Sequence, residues 1–231
     1  MLAEMGYRVF CLVTDLGGDS GISGAMNYAL KNNCRDKFND LVTWWVAEDV
    51  SQFNKFVDNQ NSVIENFWTE ANPDFILFDG FSFWQQCQVM PEIEEAEGVE
   101  NGFDNFKGWG KVKNSTIRGI QDVLLLRKPD GTPVHKIFTA ALRVTSKPKP
   151  GGKPGESIMV DLHEPDISGA AKKMMKHGFD ICWETMRNDK GEYSYHLKGD
   201  FCKKRIDTMP DILPAKFSEI WKLQQELWKN S

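Results

Sequence analysis

The run Phe75-Ile76-Leu77-Phe78 places four apolar residues directly before Asp79-Gly80. A strand with one wet face alternates apolar and polar residues. An unbroken run instead suits a strand buried on both faces, as in a parallel sheet covered by helices. Arg8–Val13 (RVFCLV) and Leu41–Val46 (LVTWWV) read as strands of the same sheet, and Lys136–Val144 (KIFTAALRV) as a fourth. Helical patterns alternate with them. Ser23–Lys31 is a short one, and Ser51–Asn72 carries Phe53, Phe56, Val57, Ile64 and Phe67 on one face up to Pro73. Asn114–Arg127 carries Ile117, Ile120, Val123, Leu124 and Leu126. Strands alternating with helices predict an α/β fold with a mostly parallel sheet, in one domain over residues 1–231.

The connections read less regularly. Met1–Met5 is expected to be the last turn of a helix stopped by Gly6. Gln85–Gly110, rich in Glu, Gly and Asn, reads as a loop, and Lys128-Pro129-Asp130-Gly131 as a turn. Ser146–Ser157 (SKPKPGGKPGES) has the Pro, Gly and Lys content of a mobile loop. Strands are expected at Asp180–Glu184 and Tyr193–Leu197, with a hairpin turn at Asn188–Gly191. A polar helix, Ala215–Trp228, follows.

The bulk numbers narrow the function classes. A hydrophobic fraction of 41% with 26% charged residues is that of a water-soluble globular chain. The net charge of −5 means that nucleic-acid binding would need a local basic patch. The five cysteines are scattered, with no Cys-x-x-Cys pair and no Cys/His set at zinc-finger spacing, so a reduced intracellular compartment is expected. No apolar run reaches the eighteen residues or so of a membrane span, and the amino terminus lacks a secretion signal's apolar core.

Two carboxylates end predicted strands. Asp79 sits where open α/β sheets place ligands, suited to hold a magnesium ion or orient a water, or else to close the strand as an Asx turn. Asp15, in Thr14-Asp15-Leu16-Gly17-Gly18, suits either an acid that polarises an attacking water or a turn. Lys147, Lys149 and Lys153 suit contacts to the phosphates of single-stranded DNA, or a solvated linker. Arg143 reads as a charge facing ligand or a neighbouring subunit, or as an ordinary surface arginine. Trp44-Trp45 reads as core packing ahead of a base-stacking platform, and the four histidines as structural or exposed.

This order of parts resembles the RecA-like P-loop ATPases, and among them the small phage versions linked to recombination and single-strand annealing. The strand ending at Asp15, the FILFD strand, KIFTAALRV with the loop Thr145–Ser157 behind it, and the later PDISGAAKKMM, GFDICWETM and KKRIDTMPDILPA carry the likeness. The resemblance implies Asp15 as the catalytic acid, Asp79 as the magnesium-side aspartate, and Arg143 at the nucleotide. It further implies ATP and Mg2+ as cofactors, single-stranded DNA on the lysine loop, a homo-oligomer and a cytoplasmic setting. Two departures stand out. No G-x-x-x-x-G-K-[ST] motif occurs: neither Gly17–Gly24 nor Gly151–Ser157 sets a Lys and a hydroxyl after its second Gly. The resemblance places that motif immediately before Met1. Ala141 stands where RecA proper carries a glutamine that senses the γ-phosphate. A subunit that binds DNA or protein without hydrolysing ATP, and a packaging or helicase motor, are the alternative expectations.

Overall fold

In the computed structural model, which describes residues 2–14, 18–58, 68–99, 103, 106–150, 157–167, 169–198, 210–214 and 216–229, the apolar runs lie side by side. β1 (Val9–Val13) pairs in parallel with β2 (Val42–Val46) and with β3 (Phe75–Asp79), and β3 pairs in parallel with β4 (His135–Phe138). The sheet order is β2-β1-β3-β4. The expected α/β class with a parallel sheet is therefore present.

Both faces of the central strands are covered. Phe10, Leu12, Ile76 and Phe78 point to one side, into a core shared with Phe53, Phe56, Trp84, Val112, Ile120 and Val123. These come from α3 (Val50–Asp58), from a helical stretch beginning at α4 (Phe81–Phe83), and from α6 (Phe106–Leu125). α1 (Gly18–Lys31) and α2 (Arg35–Leu41) link β1 to β2. Val9 and Phe75 point to the other side, against Trp221 of α8 (Phe217–Lys229), with Cys11, Leu77 and Ile137 partly buried beside them. Burial on both faces removes the alternation, which is why the strands read as continuous apolar runs.

Three expectations are corrected. Gln85–Gly110 is mostly not a loop: α4 runs into a π-helical turn, Trp84–Val89, and then into α5 (Met90–Glu97), closed by Gly98 at φ 64°. Its inward residues include Gln85 and Gln88 as well as Trp84, Val89 and Ile93. The π-turn spaces them off a 3.6-residue period, so the hydrophobic signal is lost. KIFTAALRV is not one strand. β4 stops at Phe138, and after Thr139-Ala140-Ala141 a new strand, β5 (Leu142–Pro150), pairs antiparallel with β6 (Ser157–Pro165). The expected mobile loop is thus a two-stranded ribbon over Ser146–Pro150, with residues 151–156 outside the described ones. Pro148 and Pro150, two apart, occupy equivalent ladder positions, where a missing N–H can face the ribbon's open edge.

α7 (Gly169–Gly178) follows, and then a second antiparallel sheet of β7 (Trp183–Arg187), β8 (Tyr193–Leu197) and β9 (Ile212–Pro214). The first of these begins three residues later than the strand expected at Asp180. Among the described residues no helix is long and apolar enough to cross a membrane.

The packing of α6 on the π-turn gives a paired test. A Cβ on Gly119 would lie 2.3 Å from the Trp84 ring, whereas one on Gly110 meets nothing within 4 Å. Gly110→Ala should stabilise by up to about 1 kcal/mol through helix propensity. Gly119→Ala should instead destabilise by about 1–3 kcal/mol, because a buried indole must move. Urea unfolding of both variants measures the two signs.

Candidate functional site

The chain leaves β1 for β2 on one side and returns across β1 to β3 on the other. The strand order therefore reverses at β1, and the crevice outside the carboxyl ends of β1 and β3 is where such sheets take ligands. Val13 and Asp79 are register partners at that edge, with Thr14 and Gly80 next along the chain.

Asp79 is held by a threonine that directly follows β4. The Thr139 hydroxyl donates to Asp79 Oδ1 at 2.5 Å and accepts the Gly80 N–H at 3.0 Å. Thr139 thereby fixes both the carboxylate and the turn behind it. Gly80 has φ 85°, a left-handed conformation that disfavours any side chain. From that turn the chain enters α4, where Phe81 N–H reaches Thr139 O at 3.0 Å. On the other flank the Thr14 hydroxyl donates to the carbonyls of Asp79 at 3.0 Å and Gly80 at 3.2 Å. Ser82, buried at the start of α4, accepts the Ala141 N–H at 3.0 Å. The ends of three parallel strands are laced together around one aspartate.

A glutamine closes the far side. Gln88 is buried, and its amide nitrogen donates to Thr14 O and Ala47 O, both at 2.8 Å. Two carbonyl partners define which way the amide faces. Among the described residues, Gln88 Oε1 is then left buried with no hydrogen-bond partner.

Asp79 places a negative charge at this edge. Burial, followed by the charge of Asp79, pushes the Cys11 thiol up to about 12. Among the described residues no protein group bonds Asp79 Oδ2, which leaves a hard oxygen donor for a cation or a water. No group of three or more His, Cys, Asp or Glu gathers as a metal site among the described residues. Magnesium bound through one carboxylate and its ligand's phosphates does not require one.

The other expected site residues are dispersed. Asp15 follows Thr14 but lies outside the described residues. Arg143 is exposed on β5, opposite Glu164, which Lys172 engages at 2.6 Å. Lys147 is exposed two alternations further along the same strand, opposite Val160. Lys149 is in β5 opposite Ile158, and Lys153 lies outside the described residues. The residues that position Asp79 were not singled out from sequence. Thr139 offered a weak signal, as the polar break in an apolar strand. Gln88 offered none, since its segment read as a loop. No protein-family model and no curated protein matches the chain.

The thiol gives a test of the edge's charge and burial. At pH 8.5 a shift from 9.0 to about 12 lowers the thiolate fraction of Cys11 by several hundredfold. Peptide mapping after brief iodoacetamide treatment should show the exposed Cys87 labelled and Cys11 spared. Asp79→Asn should raise Cys11 labelling only partly, because burial is the larger cause. Equal labelling of Cys11 and Cys87 in the unaltered chain would contradict this picture.

Proposed function

We propose that the chain is a nucleotide-binding protein of the RecA-like, phage-recombinase kind, taking ATP with magnesium at the carboxyl edge and single-stranded DNA on the β5–β6 ribbon. The observation that carries the reading is Asp79 at the end of a doubly buried parallel strand, oriented by Thr139 directly after the neighbouring strand. In this reading Asp79 holds magnesium, directly or through a water, and Asp15 orients the attacking water. Magnesium supplies charge neutralisation at the transferred phosphoryl group. Thr14, Thr139 and Gln88 keep the strand ends in place, and Arg143 serves the nucleotide or a neighbouring copy. The protein acts as a homo-oligomer in the cytoplasm, that of the host cell for a phage protein.

The sequence as it stands contains no G-x-x-x-x-G-K-[ST], hence no lysine and hydroxyl to cradle the phosphates. That absence favours a second reading, in which this polypeptide binds DNA or protein with little or no hydrolysis.

Two measurements test the proposal. A fluorescent ATP analogue should bind only with magnesium, and Asp79→Asn should weaken binding at least tenfold, about 1.4 kcal/mol. Steady-state turnover should be far below that of an ordinary P-loop ATPase. Magnesium-independent binding, or binding unchanged in Asp79→Asn, removes the nucleotide assignment.

For DNA, three lysine–phosphate contacts on a single strand give a log–log salt slope of about −2. Replacing Lys147, Lys149 and Lys153 with Ala should weaken oligonucleotide binding and flatten the salt dependence by that amount, without changing sequence preference. Fluorescence anisotropy across a salt series reads both, and an unchanged slope returns the ribbon to a solvated role.

A further inference from the structure

The two faces of the β5–β6 ribbon differ in charge. Side chains alternate along each strand, and residues directly opposite one another in an antiparallel pair share a face. Arg143, Lys147 and Lys149 of β5 therefore stand on one face, and among the described residues of the ribbon Glu164 is the one carboxylate beside them. The other face carries His163, whose ring meets Glu184 of β7 at 2.6 Å, and Asp161, which accepts the Ser146 hydroxyl.

Glu164 lies among cations. Its register partner is Arg143, so the two residues stand side by side across the pair. From α7, Lys172 Nζ meets Glu164 Oε1 at 2.6 Å. Both side chains are largely covered, Lys172 at 23% exposure and Glu164 at 16%, so salt screens this contact less than an open surface pair. The bond from Lys172 is foremost in holding the Glu164 carboxyl below its ordinary value; burial opposes it, and the charges of Lys172, Lys147 and Arg143 add to it. One carboxylate thus stands between the cations of the ribbon and the cation that α7 brings to them.

We propose that Glu164 is an internal stand-in for phosphate on this face, and that Lys172 is a further phosphate-binding residue, released to a nucleic-acid strand when Glu164 gives way. The proposal rests on the reading of the ribbon as the surface for single-stranded DNA, and it extends that surface from β5 onto α7. A carboxylate and a phosphate oxygen make the same kind of charge-assisted bond to an ammonium. With no strand bound, Glu164 keeps the largely covered Lys172 from being an unpaired charge. With a strand bound, the same carboxylate opposes the incoming phosphate, so the pair holds affinity below what the cations alone would give.

Fluorescence anisotropy of the full chain with a labelled thymidine oligonucleotide, across a salt series, tests it in Glu164→Gln and Lys172→Gln. Each variant breaks the same ion pair, so a purely structural role moves both in one direction. Here they should move apart. Glu164→Gln should bind about threefold more tightly or better. Lys172→Gln should bind more weakly, with a log–log salt slope shallower by about 0.7, the loss of one phosphate contact on a single strand. Equal shifts of the two variants overturn the proposal, as does unchanged affinity in Glu164→Gln or an unchanged slope in Lys172→Gln. The replacement of Lys147, Lys149 and Lys153 separates this outcome from that of the ribbon reading. If that replacement flattens the slope while the two variants fail to separate, the ribbon keeps its role and Glu164 and Lys172 lose theirs. If the slope stays unchanged while the two variants still move apart, the ribbon lysines are excluded and the Glu164–Lys172 assignment is supported. Absence of binding by both the unaltered chain and Glu164→Gln overturns both.

Discussion

Phe75 and Phe78 stand on opposite faces of one five-residue strand, and the arrangement of the other elements depends on that division. On one face Phe78 meets Phe53, Phe81, Trp84 and Phe138, with ring centroids 5.3–5.8 Å apart. On the other Phe75 meets Tyr7, His135 and Trp221 at 4.8–5.3 Å. Truncating a buried ring of this kind costs about 3–5 kcal/mol, a large share of a domain's stability. A strand clamped from both sides has little freedom to slide. Its last residue, Asp79, is therefore delivered to a defined point at the sheet's edge, and chemistry at that point inherits the rigidity of the core.

The polar lacing around Asp79 serves the same end by different means. Thr14 and Thr139 directly follow the strands on either side, β1 and β4, and use short, β-branched side chains with few rotamers. Each hydroxyl bonds groups belonging to β3 or the turn after it, so the edge is held by side chains of small volume. The orientation of Asp79 is kept by these bonds. Buried polar networks of this sort are costly when incomplete, and among the described residues Gln88 Oε1 is the place where this one lacks a donor.

The doubly buried strands were legible because burial on both faces leaves a signal needing no partner information: Phe75–Phe78 and Val9–Val13 are apolar throughout. Asp79 was legible as the abrupt end of such a run. Thr139 was not, because its meaning depends on lying across from Asp79, a pairing sixty residues apart in the chain. The helical stretch after Gly80 was misread for a different reason. Two of its inward positions are glutamines that satisfy backbone carbonyls and a threonine rather than apolar neighbours. The ribbon was misread because prolines argue against a strand in general, and tolerate one only where an edge is open.

The π-turn between Trp84 and Val89 carries one residue more than an α-helix needs to cover the same rotation. It acts as a phase shifter between two stretches of helix. Upstream, Trp84 is set against Gly119; downstream, Gln88 is set against the ends of β1 and β2. Taking out one residue would restore ordinary helical geometry while turning everything beyond it by about 100° about the axis. The core could then keep its indole or the sheet edge its amide clamp, but not both. A single extra residue thus ties the interior packing to the edge, so this helix tolerates changes of side chain more readily than changes of length.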